Sequence, residues 1–155
     1  MTAPQLNKVV PDFKLPATGG KTIQLKSLRG KKVVIYFYPK DSTPGCTNEA
    51  QQFRDLYAKF RQAGTEILGV SRDSVASHEK FKEKQKLPFD LLSDADEALC
   101  RQFDVIREKS LYGRKFMGIE RSTFLLDEKG RLQQEWRKIR VKGHAAEVLD
   151  AANHG

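Results

Sequence analysis

An α/β fold, with a mixed central sheet flanked by helices, is predicted by three observations. The run Lys31-Lys-Val-Val-Ile-Tyr-Phe-Tyr-Pro39 is β-branched and aromatic almost throughout, the pattern of a strand covered on both faces. The stretch 46–63 that follows carries Ala50, Phe53, Leu56, Tyr57 and Phe60 at the spacing of one helical face and stops at Gly64. Beyond it, strand-like and helix-like segments alternate to the C-terminus, the order that builds a sheet with helices packed on both faces. At 155 residues the chain has the length of one domain, and 1–155 reads as a single unit without linker, repeat or low-complexity tract.

Taken in order, residues 10–16 and 21–25 are short extended pieces around Ala17-Thr-Gly-Gly20, a hairpin ahead of the main strand. After the strand 31–39 and the helix 46–63, Thr65-Glu-Ile-Leu-Gly-Val-Ser71 reads as a second buried strand. Residues 74–84 then form a helix with Ser74 as its N-cap. A short extended piece at 87–92 precedes a helix over 94–103 that starts at Asp94 or Asp96. Strands at 121–127 and 132–141, joined by a turn at Glu128-Lys-Gly130, lead to a final helix over 144–152. This is the layout of a thioredoxin-like fold with an N-terminal β-hairpin extension.

Composition narrows the function classes. With 39% hydrophobic and 31% charged residues, 11 Gly and 6 Pro, neither a disordered chain, a collagen-like repeat nor a disulfide scaffold fits. The longest apolar stretch, Val33 to Tyr38, is far short of the roughly 18 residues that a membrane span needs. The first ten residues lack a hydrophobic signal core, so a cytoplasmic protein without membrane contact is expected. The two cysteines, Cys46 and Cys100, are expected as thiols in a reducing compartment unless one has redox work.

Cys46 has the surroundings for such work. It lies in the loop Tyr38-Pro-Lys-Asp-Ser-Thr-Pro-Gly-Cys-Thr47, at the carboxyl end of the best strand, where open α/β sheets bind ligands. It falls in the first turn of the next helix, where unpaired N–H groups and the positive end of the helix dipole favour a thiolate. Its neighbours are Pro, Gly, Ser, Thr and Asp rather than core residues, so a structural cysteine is the weaker reading.

The same loop carries a resemblance. Pro39-x-x-x-Thr43-x-x-Cys46, within Phe37-Tyr-Pro-Lys-Asp-Ser-Thr-Pro-Gly-Cys-Thr-Asn-Glu-Ala50, resembles the active-site motif of the peroxiredoxins, in particular the peroxiredoxin Q or bacterioferritin comigratory protein subgroup. Leu92-Ser-Asp94, Phe103-Asp-Val105 and Gly118-Ile-Glu-Arg-Ser-Thr-Phe-Leu-Leu-Asp127 follow in the family's order, so the resemblance covers almost the whole chain. It implies that Cys46 is the peroxidatic cysteine, attacking one peroxide oxygen and becoming a sulfenic acid. By the same resemblance Thr43 orients the O–O bond, accepting from the peroxide and donating to the sulfur, and Pro39 shields the thiolate from water. Arg121 stabilises the thiolate and the leaving oxygen. Glu49, one turn after Cys46, either holds Arg121 by a bidentate pair or is a solvent-facing helix acid.

The chain departs from its look-alikes at the second cysteine. Relatives carry a resolving cysteine five residues after the first, where this sequence has Gln51, or in the next helix, near Lys82. Cys100 is left as the candidate resolving residue. It shares a helical face with Phe103, near Asp96 and Glu97, which favours a small core-facing side chain. A one-cysteine cycle is therefore expected: peroxide is the substrate, and the sulfenic acid is recycled by thioredoxin, or by glutathione with glutaredoxin, on a monomeric chain. A two-cysteine cycle through Cys100 is the alternative.

Other classes are weaker. Gly19-Gly-Lys-Thr22 lacks the first glycine of a phosphate-binding loop, which falls on Leu15, and no dinucleotide fingerprint or hydrolase elbow appears. The three histidines, His78, His144 and His154, are scattered without metal-ligand spacing, so neither cofactor nor metal is expected. A disulfide reductase would need a C-x-x-C pair, and Thr43 and Glu49 occupy the partner positions. The net charge of +8 is concentrated at 129–142, where Lys129, Arg131, Arg137, Lys138, Arg140 and Lys142 face only Glu135. That stretch would serve a basic nucleic-acid-binding module with Trp136 stacking on a base. An edge strand protected by its cations, with Trp136 on its buried face, is the stronger reading, so no nucleic acid is expected.

Overall fold

The structure, a computed structural model, describes residues 3–154; Met1 and Thr2, at the start of the segment read as lacking a signal core, lie outside it. The hairpin is formed by β1 (Lys14–Ala17) and β2 (Lys21–Gln24), turning through Gly19 and Gly20 at φ 83° and 67°. A single 3-10 turn at Leu25–Leu28 leads into β3 (Lys32–Phe37). Then come α1 (Pro44–Gln62), β4 (Thr65–Ser71), α2 (Val75–Gln85), β5 (Asp90–Ser93) and α3 (Ala98–Gln102). A ribbon of β6 (Ile106–Leu111) and β7 (Arg114–Ile119) precedes β8 (Ser122–Leu126), β9 (Leu132–Trp136) and α4 (His144–His154).

Seven strands form one mixed sheet in the order β2-β1-β5-β4-β3-β8-β9, while β6 and β7 pair only with each other. β3, β4 and β5 run parallel through the crossovers α1 and α2, and β8 and β1 flank them antiparallel. The continuous apolar run of β3 has a direct cause. Side chains alternate across a strand, so Val33, Ile35 and Phe37 enter one core while Val34, Tyr36 and Tyr38 enter the other. The second core is closed by Ala50, Phe53 and Phe60 of α1, Phe81 of α2 and Ala145, Val148 and Ala152 of α4. The first is closed by Leu99 and Cys100 of α3, then Phe103 and Val105, and by Ile106 and Ile119 at the base of the ribbon. Helices thus lie on both faces, as the thioredoxin-like layout requires. Phe37 stands between Phe103 and Phe124, so Phe37→Ala would empty the centre of that core at a cost of about 3–5 kcal/mol.

Two sequence expectations change most, and one element was not expected at all. The strand expected over 132–141 stops at Trp136, because Lys138 turns into left-handed backbone at φ 52° and Arg137 folds back instead of pairing. Its guanidinium donates to the carbonyls of Phe103 and Asp104 and lies 5.2 Å from the centre of the Phe124 ring. The helix expected over 94–103 shortens to Ala98–Gln102, because Glu97 is also left-handed, at φ 66°. The ribbon, by contrast, went unread: its middle is charged and lacks a clean apolar alternation.

The extended pieces expected at 10–16 and 87–92 are strand only over Lys14–Ala17 and Asp90–Ser93. Ser74 caps α2 by accepting from Ser77 N–H at 3.1 Å. β9 is the sheet edge, with Trp136 half-buried against α4 and its Nε1–H donating to Glu147 at 2.7 Å.

Candidate active site

Cys46 is placed by the start of α1. Thr43 is the N-cap, in extended backbone, and Pro44 occupies the first helical position, where its missing N–H costs nothing. Cys46 is therefore the third helical residue. The Thr43 hydroxyl does not cap the helix; its proton goes to the Lys40 carbonyl at 2.9 Å. The N–H groups of Gly45 and Cys46 are thus left without helical partners, facing whatever charge the sulfur carries. The same hydrogen bond corrects the expectation that Thr43 donates to sulfur. In this structure its donor is committed to the loop, and its lone pairs are what it offers.

Arg121 reaches this helix end from the residue just before β8. Its Nη2–H donates to Cys46 Sγ at 3.3 Å and its Nη1–H to Glu49 Oε1 at 2.6 Å. Cys46 and Glu49 are three residues apart on one helical face, which is why a single guanidinium spans both. Gly45 makes the approach possible, since a Cβ there would lie 3.1 Å from Arg121 Nη2. Sequence reasoning quoted Gly45 in the motif without seeing its use; the signal was a glycine where a better helix former would otherwise be preferred.

The pair with Glu49 differs from both readings of that residue. Glu49 is 1% exposed, so it is not a solvent-facing acid, and it binds Arg121 through one oxygen while Oε2 has no hydrogen-bond partner among the described residues. Burial pushes its carboxyl up to about 7 against the pull of Arg121. Burial opposes the Arg121 charge too, but Glu49 and Cys46 outweigh it and raise the guanidinium's hold on its proton. Arg121 keeps 15% of its side chain exposed and thus connects solvent to a cysteine that is itself buried. Pro39 is half-buried beside the buried Tyr38, at the loop's other end.

The loop is pinned by a network that the sequence did not announce. Asp41 Oδ1 accepts from Tyr38 OH at 2.6 Å, and Oδ2 accepts from Ser77 at 2.8 Å and lies 2.7 Å from His78 Nδ1. His78 Nε2–H donates to the Leu92 carbonyl at 2.9 Å, and Asp41 N–H donates to Asp73 at 2.9 Å. Asp41, Asp73 and His78 thus bring ligand-type atoms within 4.8 Å of one another. These atoms are engaged with one another and with Tyr38, Ser77 and the Leu92 carbonyl, so the cluster's groups serve to pin the loop.

Cys100 stands apart from all this. It belongs to the opposite core from Cys46, so the sheet lies between the two sulfurs. The Asp94 carboxylate accepts from the backbone N–H of Leu99 and Cys100 at 3.0 and 2.7 Å. Burial, and then Asp94, hold the Cys100 thiol in its protonated form. The structure brings together Cys46, Thr43, Arg121 and Glu49, with Pro39 on the same loop, and leaves Cys100 outside.

Comparison with known proteins places the chain in a family. Residues 6–135 match the model of the AhpC/TSA family. The chain is 56% identical over 140 residues to the peroxiredoxin Bcp of Xanthomonas campestris, covering 90% of this chain and 88% of that one. It is 50% identical over 145 residues to the peroxiredoxin Bcp of Bacillus subtilis, covering 94% and 92%. A solved structure of the Xanthomonas campestris bacterioferritin comigratory protein, described for its alkyl peroxide reduction activity, superposes with a TM-score of 0.87 at 54% identity, covering 92% of this chain and 90% of that one. The chain belongs to the AhpC/TSA family and, with these relatives, is a peroxiredoxin, a peroxidase among the oxidoreductases.

Proposed function

We propose that this chain reduces hydrogen peroxide and organic hydroperoxides by a one-cysteine cycle at Cys46, with thioredoxin as reductant. The observation that carries the reading is the Arg121 guanidinium on Cys46 Sγ, backed by Glu49, at the free N–H groups of α1. The Cys46 thiolate attacks the nearer peroxide oxygen in line with the O–O bond. The S–O bond forms, the O–O bond breaks, and the leaving oxygen takes a proton from water as alcohol or water. Thr43, its own proton on Lys40, accepts from the peroxide and sets its direction; Arg121 stabilises the charge that moves from sulfur to the leaving oxygen. Pro39 offers no donor and keeps water from the sulfur.

The sulfenic acid then condenses with a thiol of the reductant, releasing water and forming a mixed disulfide. The reductant's second thiol attacks its own sulfur in that bond, freeing Cys46 as thiolate and leaving the reductant oxidised. Cys100 takes no part. A bond to Cys46 needs Cα atoms within about 7 Å, and here the central sheet intervenes. The same reading makes the chain a monomer, a single domain at work in a reducing cytoplasm. Among the described residues no helix is long and apolar enough to cross a membrane.

The test is peroxide-dependent NADPH oxidation with thioredoxin and thioredoxin reductase. Activity in wild type and Cys100→Ser, absent in Cys46→Ser, is expected. Loss in Cys100→Ser as well would make Cys100 the resolving thiol. Activity only with glutathione and glutaredoxin would replace the reductant.

A further inference from the structure

We propose that the β6–β7 ribbon is the docking surface for the protein that recycles oxidised Cys46, a thiol protein whose face is acidic and apolar around its cysteine. The inference rests on the one-cysteine reading above, in which the second thiol must come from outside.

Six large hydrophobic residues are exposed among those described, and four of them, Leu111, Tyr112, Phe116 and Met117, stand on this one ribbon, Tyr112 at 96% exposure. A cluster of that kind signals a contact, because scattered single residues are the norm for a surface. The ribbon forms no pairs with the main sheet, and its base, Ile106 and Ile119, is anchored in the core, so its distal half stands free. Cations stand among the apolar side chains: Lys109 lies opposite Phe116 and Arg114 opposite Leu111, while Arg107 pairs with Asp104 at its base and Lys115 with Glu108, leaving a net positive charge on the ribbon.

The ribbon also borders the reactive site. Arg107, Glu108 and Lys109 line one wall of a groove of about 450 Å³ whose other walls are Lys138, Ile139, Glu120 and Arg121, the residue that touches Cys46 Sγ. Lys109 is fixed at that wall by donating to the Ile119 carbonyl at 2.5 Å, and burial followed by the Arg121 charge lowers its hold on its proton. A partner seated on the ribbon would therefore lie over the solvent approach to the sulfenic acid.

Charge decides between occupants. A second copy would bring the same net positive charge to the ribbon, with Lys109 and Arg114, which have no ion pair among the described residues, facing their own kind, so self-association is disfavoured. A lipid surface could meet the apolar tip and the cations beside it, but it brings no thiol to the groove that Arg121 lines, which a one-cysteine cycle requires of whatever docks there. An acidic face fits, and electrostatic attraction would speed its encounter in a salt-dependent way.

The test compares wild type, Leu111→Ser with Tyr112→Ser, and Arg114→Glu with Lys115→Glu, all exposed positions outside the catalytic machinery. Three rates are read: single-turnover oxidation by hydrogen peroxide, recycling by dithiothreitol and recycling by thioredoxin. Peroxide oxidation and dithiothreitol recycling should be unchanged, while thioredoxin recycling falls about tenfold or more, and the charge-reversed variant loses its salt dependence. Equal thioredoxin rates in all three proteins would overturn the docking surface alone. Wild type recycled by dithiothreitol but not by thioredoxin would instead overturn the reductant. Wild-type binding to phosphatidylglycerol vesicles, lost in the variants while thioredoxin recycling is unchanged, would give the ribbon to lipid and also overturn the proposal.

Discussion

The two cysteines are equally buried and chemically opposite. Cys46 is 1% exposed and Cys100 is 0% exposed, so burial does not separate them. Their neighbours do. Cys46 has a guanidinium N–H on its sulfur and sits at a helix N-terminus, so its sulfur faces hydrogen-bond donors. Cys100 has the Asp94 carboxylate beside it, which opposes charge on sulfur and holds the proton in place. A thiol's reactivity in a protein interior is set by the sign of what it faces, and one chain here shows both signs.

The largest effect that could break this contrast is on the sulfurs themselves. Cys46→Ser should bring peroxide turnover to background, whereas Cys100→Ser should keep it within about twofold, as read by coupled NADPH oxidation. Next is the charge that makes Cys46 what it is. Lysine cannot hold Glu49 and the sulfur together as a planar fork does, so Arg121→Lys should lower kcat/KM for hydrogen peroxide by about 100-fold while thermal unfolding shifts little.

On the other side of the sheet, Asp94→Asn removes the negative charge beside Cys100 and puts an amide where two backbone N–H groups need acceptors. Denaturant unfolding should show a loss of about 1–3 kcal/mol, and Cys100 should label faster with a thiol reagent in the folded protein. Peroxidase activity should survive, since Asp94 lies in the opposite layer.

These effects also show which parts of the molecule could be read in advance. β3 and α1 were legible because their patterns answer to burial: an apolar strand between two cores and a stripe facing one of them. The loop was legible because Pro39, Thr43 and Cys46 stand at fixed spacing, and the family resemblance added Arg121, which nothing local marks. The ribbon was not legible, because only Ile106 and Ile119 at its base reach the core and its turn at Tyr112-Gly113 depends on positive φ at both residues. Nor was the burial of Glu49: a single acid on an amphipathic helix looks solvated until its partner, 72 positions away, folds onto it. Charge pairs across the chain carry no periodic signal.

The smallest effect is a change in the shape of a curve. Glu49 binds its proton more tightly folded, at about 7, than in the open chain near 4.5, so its contribution to stability is complete below about 4.5 and is lost as pH rises through 7. Glu49→Gln should flatten that part of the stability profile. His144 works the other way: burial lowers it to about 4, so stability falls as pH drops from about 6.5 towards 4. The Thr123 hydroxyl lies 2.9 Å from its Nε2. Chemical unfolding at several pH values separates the two.

The most direct test of the contrast is to treat the reduced protein with one equivalent of hydrogen peroxide in the presence of a sulfenic-acid trap and map both cysteines by mass spectrometry. A trap adduct on Cys46, with Cys100 an unmodified thiol, is the expected result. A Cys46–Cys100 disulfide in its place would mean that the sheet opens within the catalytic cycle and that Asp94 does not keep Cys100 silent.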